Sequence, residues 1–136
     1  MSFKCTAIMS NQGNRDAPFT QLLRIAEEVL QSLRSALPHP LQRQLNAVPI
    51  LLEDLPSSAQ IKDGIADNQL GLFVGAPVGE THSTHPPRII LWLRNHWDMC
   101  NAIESDYRAE VRTTLLHELG HFLGLDEAEI NERELQ

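Results

Sequence analysis

The chain has 136 residues, of which 42% are hydrophobic and 21% charged, and its formal net charge is −7 at pH 7. This composition is typical of a water-soluble globular protein, and the length suits a single domain, predicted over residues 1–136 with residues 1–15 loosely ordered. The negative charge argues against a nucleic-acid partner, because phosphate binding requires a basic surface. The longest aliphatic and aromatic run, residues 89–93, is far too short to span a bilayer, and no basic amphipathic stretch suggests a membrane partner.

The first ten residues lack the apolar stretch and small-residue cleavage site of a secretory signal. Cys5 and Cys100 lie far apart in the sequence and do not form a C-x-x-C motif. Two free thiols are typical of a reducing compartment. We therefore expect the protein to be cytoplasmic.

The first half of the chain predicts a helix followed by two strands. Apolar residues at helical spacing begin at Phe19 and stop before the break at Pro38. They are Phe19, Leu22, Leu23, Ala26, Val29, Leu30 and Leu33. A turn of helix is expected over residues 41–46. Strands are expected over residues 48–53 and 70–74, with a connection that lacks periodicity between them.

The second half predicts one further strand and a long helix. Residues 88–94 are apolar at consecutive positions, which indicates a strand covered on both faces. After a short helical segment over residues 95–103, Ser105 or Asp106 is expected to cap a long helix that runs to Leu123. This order of elements predicts a small α+β fold.

The long helix carries the sequence His117-Glu118-Leu119-Gly120-His121, which is an H-E-x-x-H motif. Side chains at positions i and i+4 of a helix share one face, so His117 and His121 can bind one metal ion. Glu118 can reach a water on that metal and move its proton, as in zinc hydrolases. For this composition the motif arises by chance about 0.02 times per chain.

The third metal ligand is expected just beyond the helix. Gly124 is well placed to end the helix in the left-handed conformation, which can turn the following residues back toward the histidines. Glu127 is the eleventh residue of the motif, and zinc accepts carboxylate oxygens. Asp126 is the alternative ligand, although its spacing to Glu129 resembles a capping box that opens a last helix.

Other polar residues are weaker candidates. Glu110 and Thr114 share the histidine face of the helix and could orient the histidine ligands, while a leucine stripe on the opposite face packs into the core. His82 and His85 lie three residues apart in a polar loop, for which exposure to solvent is a simpler explanation than a second metal. His96 is expected to pack or to cap a helix.

The chain resembles the small bacterial zincin-like metallopeptidases, which are minimal relatives of the metzincins. The resemblance rests on residues 117–127, with support from residues 70–75 and 88–93 and the helix from Phe19. It implies zinc bound by His117 and His121, Glu118 as general base, a carboxylate third ligand at Glu127, and a small mixed sheet beside the active-site helix. The chain departs from the metzincins in one respect. It has no Met-turn after the third ligand, because all three methionines precede the helix.

These observations predict a zinc-dependent peptidase that acts on a peptide or protein, with residues 70–74 as a candidate edge strand for an extended substrate. One alternative is a non-catalytic metal-binding module, in which four protein ligands would close the site. Another is a metal-dependent hydrolase of a different substrate class. The endoribonucleases of ribosomal RNA maturation are an example, but their motif lacks the glutamate and the net charge of −7 fits RNA poorly.

Overall fold

A computed structural model describes residues 15–79, 85–126 and 128. Within them the chain forms five helices and three strands. These are α1 (Phe19–Ala36), α2 (His39–Ala47), β1 (Ile50–Glu53), α3 (Ser58–Lys62), β2 (Gly71–Val74), β3 (Arg88–Trp92), α4 (Leu93–Met99) and α5 (Glu104–Phe122). The prediction of a small α+β fold is confirmed. The predicted loose order of residues 1–15 falls almost entirely outside the described residues.

The three strands form a mixed sheet in the order β1-β3-β2. Strand β1 runs parallel to β3, and β2 runs antiparallel to it, with Gly71 opposite Leu91. The central strand β3 is covered on both faces as predicted, because every residue from Ile89 to Trp92 is at most 4% exposed. Strand β2 forms one edge of the sheet in the described part of the chain, and that edge lies beside α5.

The core lies between one face of the sheet and helices α1, α4 and α5. Most of the apolar stripe of α1 is buried as its spacing predicts, with Phe19 and Leu23 half-buried, and the stripe packs against α5. The Tyr107 hydroxyl of α5 donates a hydrogen bond of 2.8 Å to the Leu22 carbonyl of α1, so the contact also has a buried polar link. Among the described residues, no helix combines the length and apolar character needed to cross a bilayer.

The start of α5 differs from the prediction. Its N-cap is Ile103 without a side-chain cap, so Ser105 and Asp106 lie inside the first turn. The reason is the tight connection from α4, in which Asn101 and Ala102 both have positive φ, and the helix begins immediately after it. Asp106 still stabilises this end, because a carboxylate interacts favourably with the positive N-terminus of a helix.

The end of α5 agrees with the prediction. Gly124 has a φ of +85°, which is the left-handed conformation that favours glycine. The Gly124 N–H donates to the His121 carbonyl at 2.9 Å, and the Leu125 N–H donates to the Gly120 carbonyl at 3.0 Å. This pair of bonds is a Schellman motif, which stops the helix directly after the second histidine.

Candidate metal centre

The two histidines of the motif lie side by side on α5. The ring centroids of His117 and His121 are 4.9 Å apart, and the ring planes are nearly perpendicular, at 80°. Both side chains are half-buried. One helical turn therefore places two imidazoles next to each other at the protein surface, as the i, i+4 spacing predicts.

A cleft between α5 and the edge strand β2 surrounds this pair. It contains a cavity of about 540 Å³ on the His121 side and one of about 270 Å³ on the His117 side. Glu118 and Gly71 line both cavities. Glu118 is only 8% exposed, so its carboxylate lies in a largely desolvated position between the two spaces.

The polar face of α5 is more covered than its sequence suggests. Glu110, Thr114 and Glu118 are each 8% exposed, although all three lie on the histidine side of the helix. At Thr114 and Glu118, part of the cover comes from Gly71 in β2. A Cβ atom at Gly71 would lie 2.6 Å from the Thr114 Cγ2 and 3.6 Å from the Glu118 Cγ, so the strand comes this close only because residue 71 has no side chain.

Gly71→Ala is expected to lower the free energy of unfolding by about 1–3 kcal/mol, because the new methyl group overpacks against Thr114. Thr114→Ser removes the methyl group that would be contacted but keeps the hydroxyl. The two effects should therefore not be additive. The double variant Gly71→Ala/Thr114→Ser should have a higher free energy of unfolding than the sum of the two single changes predicts. Urea unfolding of the four proteins measures this coupling, and strictly additive effects would show that the two positions are not in contact.

Thr114 forms a hydrogen bond with His96, which packs in the core as predicted. His96 is fully buried, with Nδ1 3.0 Å from the Trp92 carbonyl and Nε2 2.9 Å from the Thr114 Oγ1. A carbonyl only accepts, so Nδ1 carries the proton and Nε2 accepts a hydrogen bond from the Thr114 hydroxyl. The Thr114 proton is thus directed to His96, and the predicted role of Thr114 in orienting a motif histidine stays a prediction.

Burial lowers the pKa of His96 from 6.5 to about 4, despite the hydrogen bond to the Trp92 carbonyl, which raises it. Between these two values the unfolded chain takes up a proton that the folded chain does not, so His96 makes the protein less stable as the pH falls through this range. Between pH 7 and pH 5 this residue is expected to lower the free energy of unfolding by about 2 kcal/mol.

Urea unfolding at both pH values measures this loss. His96→Gln should flatten the pH dependence, whereas His39→Gln, at an exposed position in α2, should leave it as in the wild type. An unchanged pH dependence in His96→Gln would contradict the assignment.

The candidates for a third ligand lie beyond the Schellman motif. Asp126 is exposed and lines the larger cavity together with His121. Glu127 lies outside the described residues, as does His82. Among the residues that are described, no three His, Cys, Asp or Glu side chains form a group that could hold a metal ion. His85 is exposed and lines a separate cavity of about 260 Å³ with Leu72 and other sheet residues.

Comparison with known families shows which family the chain belongs to. The model of a family described as zincin-like metallopeptidase matches residues 45–136, which include the sheet, α5 and the cleft. The chain belongs to the zincin-like metallopeptidase family. No curated protein is significantly similar to it. Helix α1 precedes the matched range, but it packs against α5, which lies within that range.

The paired imidazoles of this zincin-like chain suit zinc as two of its ligands. His117 and His121 offer imidazole nitrogens from neighbouring turns, and Asp126 offers a carboxylate at the rim of the same cleft. Zn²⁺ binds imidazole nitrogens and carboxylate oxygens, whereas Mg²⁺ and Ca²⁺ prefer sites built entirely from oxygen. Two adjacent imidazoles therefore favour zinc over either of those ions.

Proposed function

We propose that the protein is a zinc-dependent metallopeptidase that hydrolyses peptide bonds, with Glu118 as the general base. The observation that supports this most strongly is the position of Glu118, which is next to the paired imidazoles and lines both cavities of the cleft. A general base must lie within reach of the reacting groups and benefits from low exposure to water. At 8% exposure, Glu118 satisfies the second condition as well.

In this proposal His117, His121 and Glu127 hold the metal, with Asp126 as the alternative to Glu127. When bound, zinc supplies Lewis-acid chemistry, which polarises a carbonyl and makes water more acidic at neutral pH. Glu118 accepts the proton of the attacking water and later delivers it to the leaving amine. His96 and Thr114 hold the neighbouring turn of α5 against α4, so the base and the ligands stay on a rigid helix.

Strand β2 is the proposed docking edge for the substrate. It lies at the edge of the sheet and faces the cleft through Gly71, Leu72 and Phe73. An extended peptide can add to such an edge by backbone hydrogen bonds while its side chains enter adjoining cavities. The absence of a side chain at Gly71 lets this edge strand approach α5 closely beside Glu118.

The proposed substrate is a peptide or protein, and the proposed location is the cytoplasm. The net charge of −7 disfavours RNA, the substrate of the other hydrolase class considered above, because nucleic-acid binding relies on basic surfaces. A cleft with about 540 Å³ of space on one side of the paired histidines favours catalysis over a purely structural metal site, which four protein ligands would close.

The experiment is a digest of a peptide library with purified protein, first loaded with zinc, then treated with a chelator, and then supplied with zinc again. The proposal predicts cleavage that stops on chelation and returns with the metal. Zinc binding without cleavage of any peptide would instead support the non-catalytic metal-binding module.

A further inference from the structure

The smaller cavity of the cleft contains a carboxylate that the proposed hydrolysis does not use. Glu110 lines this space of about 270 Å³ and is only 8% exposed. It makes no hydrogen bond or ion pair with any residue in the described part of the chain. The Glu110 carboxylate is therefore available to a partner that enters the cavity.

The residues around Glu110 favour the binding of a positively charged group. Among the described residues that line the cavity there is no Lys or Arg. The Thr114 hydroxyl donates its proton to His96, so it cannot also donate to Glu110. Glu118 adds a second carboxylate to the same cavity. A cation that enters here can therefore approach the Glu110 carboxylate without displacing a Lys or Arg side chain that lines the cavity.

The position of Glu110 along α5 sets the distance from the proposed metal. It precedes His117 by seven residues, which corresponds to about 10 Å along the helix axis at 1.5 Å per residue. An extended peptide covers that distance in about three residues, at roughly 3.3 Å each. A bound cation at Glu110 would therefore belong to the same peptide as the bond being cleaved.

We propose that this cavity binds an ammonium group of the substrate and that Glu110 is its counterion, which makes Glu110 a specificity-determining residue. The inference rests on the proposed peptidase function. A lysine side chain and a free peptide N-terminus both provide this chemistry. The cavity explains why a carboxylate is kept unpaired at this depth, since the substrate completes its ion pair.

The kinetic test uses matched peptides. In the first set, the two peptides of each pair differ only by lysine or norleucine at one position, and that position moves along the peptide from pair to pair. In the second set, the two peptides differ only by a free or an acetylated N-terminus. The wild type is expected to prefer the ammonium-bearing member of one set by about tenfold or more in kcat/KM, the scale of a hydrogen bond to a charged group. The set that shows the preference identifies the source of the ammonium group.

Glu110→Gln should remove this preference, mainly through KM for the ammonium-bearing peptide. Glu110→Asp keeps the charge and should retain part of it. Glu104→Gln makes the same charge change on α5 but lies outside both cavities, in an exposed ion pair with Arg108, and should leave the preference intact. The melting temperature of Glu110→Gln should be close to that of the wild type, because the substitution breaks no hydrogen bond or ion pair within the described part of the chain. A clear loss of stability would indicate a structural role instead.

A binding experiment separates this inference from the proposed function. The zinc-loaded Glu118→Gln variant is titrated calorimetrically with the same lysine and norleucine peptides and the same N-terminal pairs. Tighter binding of the ammonium-bearing member, lost when Glu110→Gln is added, supports the inference even if the wild type cleaves nothing. Equal binding of both members in every pair would overturn it, whether or not hydrolysis occurs.

Discussion

Glu118→Gln is expected to lower the rate of peptide hydrolysis by about 10²–10⁴-fold while the protein still binds zinc. The amide has nearly the shape of the carboxylate but cannot accept the proton of the attacking water. Since Glu118 is 8% exposed, bulk water is poorly placed to replace it as a base. The loss should appear in kcat and not in KM, because the proton is transferred only as the reaction proceeds.

The measurement compares kcat, zinc content and melting temperature in the two proteins. Glu104→Gln is a suitable control, because it removes an exposed carboxylate from the same helix and should leave kcat unchanged. Turnover of Glu118→Gln at the wild-type rate would rule out Glu118 as the general base. A loss of zinc together with activity would instead assign the residue to metal binding.

His121→Ala is expected to weaken zinc binding by more than about 100-fold, since loss of even an outer partner of a metal ligand costs 10–100-fold. The imidazole pair, with ring centroids 4.9 Å apart, would be reduced to one nitrogen donor. Zinc at 100 times its dissociation constant should stabilise the wild type by about 2.7 kcal/mol and the variant far less. Isothermal titration with zinc and melting curves with and without zinc measure the two effects.

Three further variants complete this zinc series. His39→Ala removes an exposed histidine from α2 and should bind zinc like the wild type. Glu127→Ala should lose zinc, whereas Asp126→Ala should retain it. The reverse result would make Asp126 the third ligand, and wild-type affinity in His121→Ala would contradict the metal site itself.

Local sequence patterns predicted most of the fold. The stripe in α1 and the apolar run in β3 needed only periodicity, because each element buries the residues that its own geometry brings to one or both faces. Gly124 was recognised as a helix end because glycine readily adopts positive φ. The short helix α3 was missed, although its Ser57 and Gln60 form a capping box that can be found in the sequence.

The environment of the site could not be predicted in the same way, because it depends on contacts between distant segments. Gly71 lies more than forty residues before Thr114, and only pairing of β2 with β3 brings it against α5. The burial of Thr114 and Glu118 follows in part from that approach. His96 likewise owes its neutral state to burial in the core, where its Nε2 meets Thr114 from a distant part of the chain.

The most direct test of the account is a crystal structure of the zinc-loaded protein with diffraction data collected at the zinc absorption edge. The account predicts one anomalous peak on α5, about 2.0–2.1 Å from one ring nitrogen of His117 and one of His121. A zinc ion bound elsewhere, or ring nitrogens of both histidines hydrogen-bonded to main-chain carbonyls with no metal between them, would contradict it.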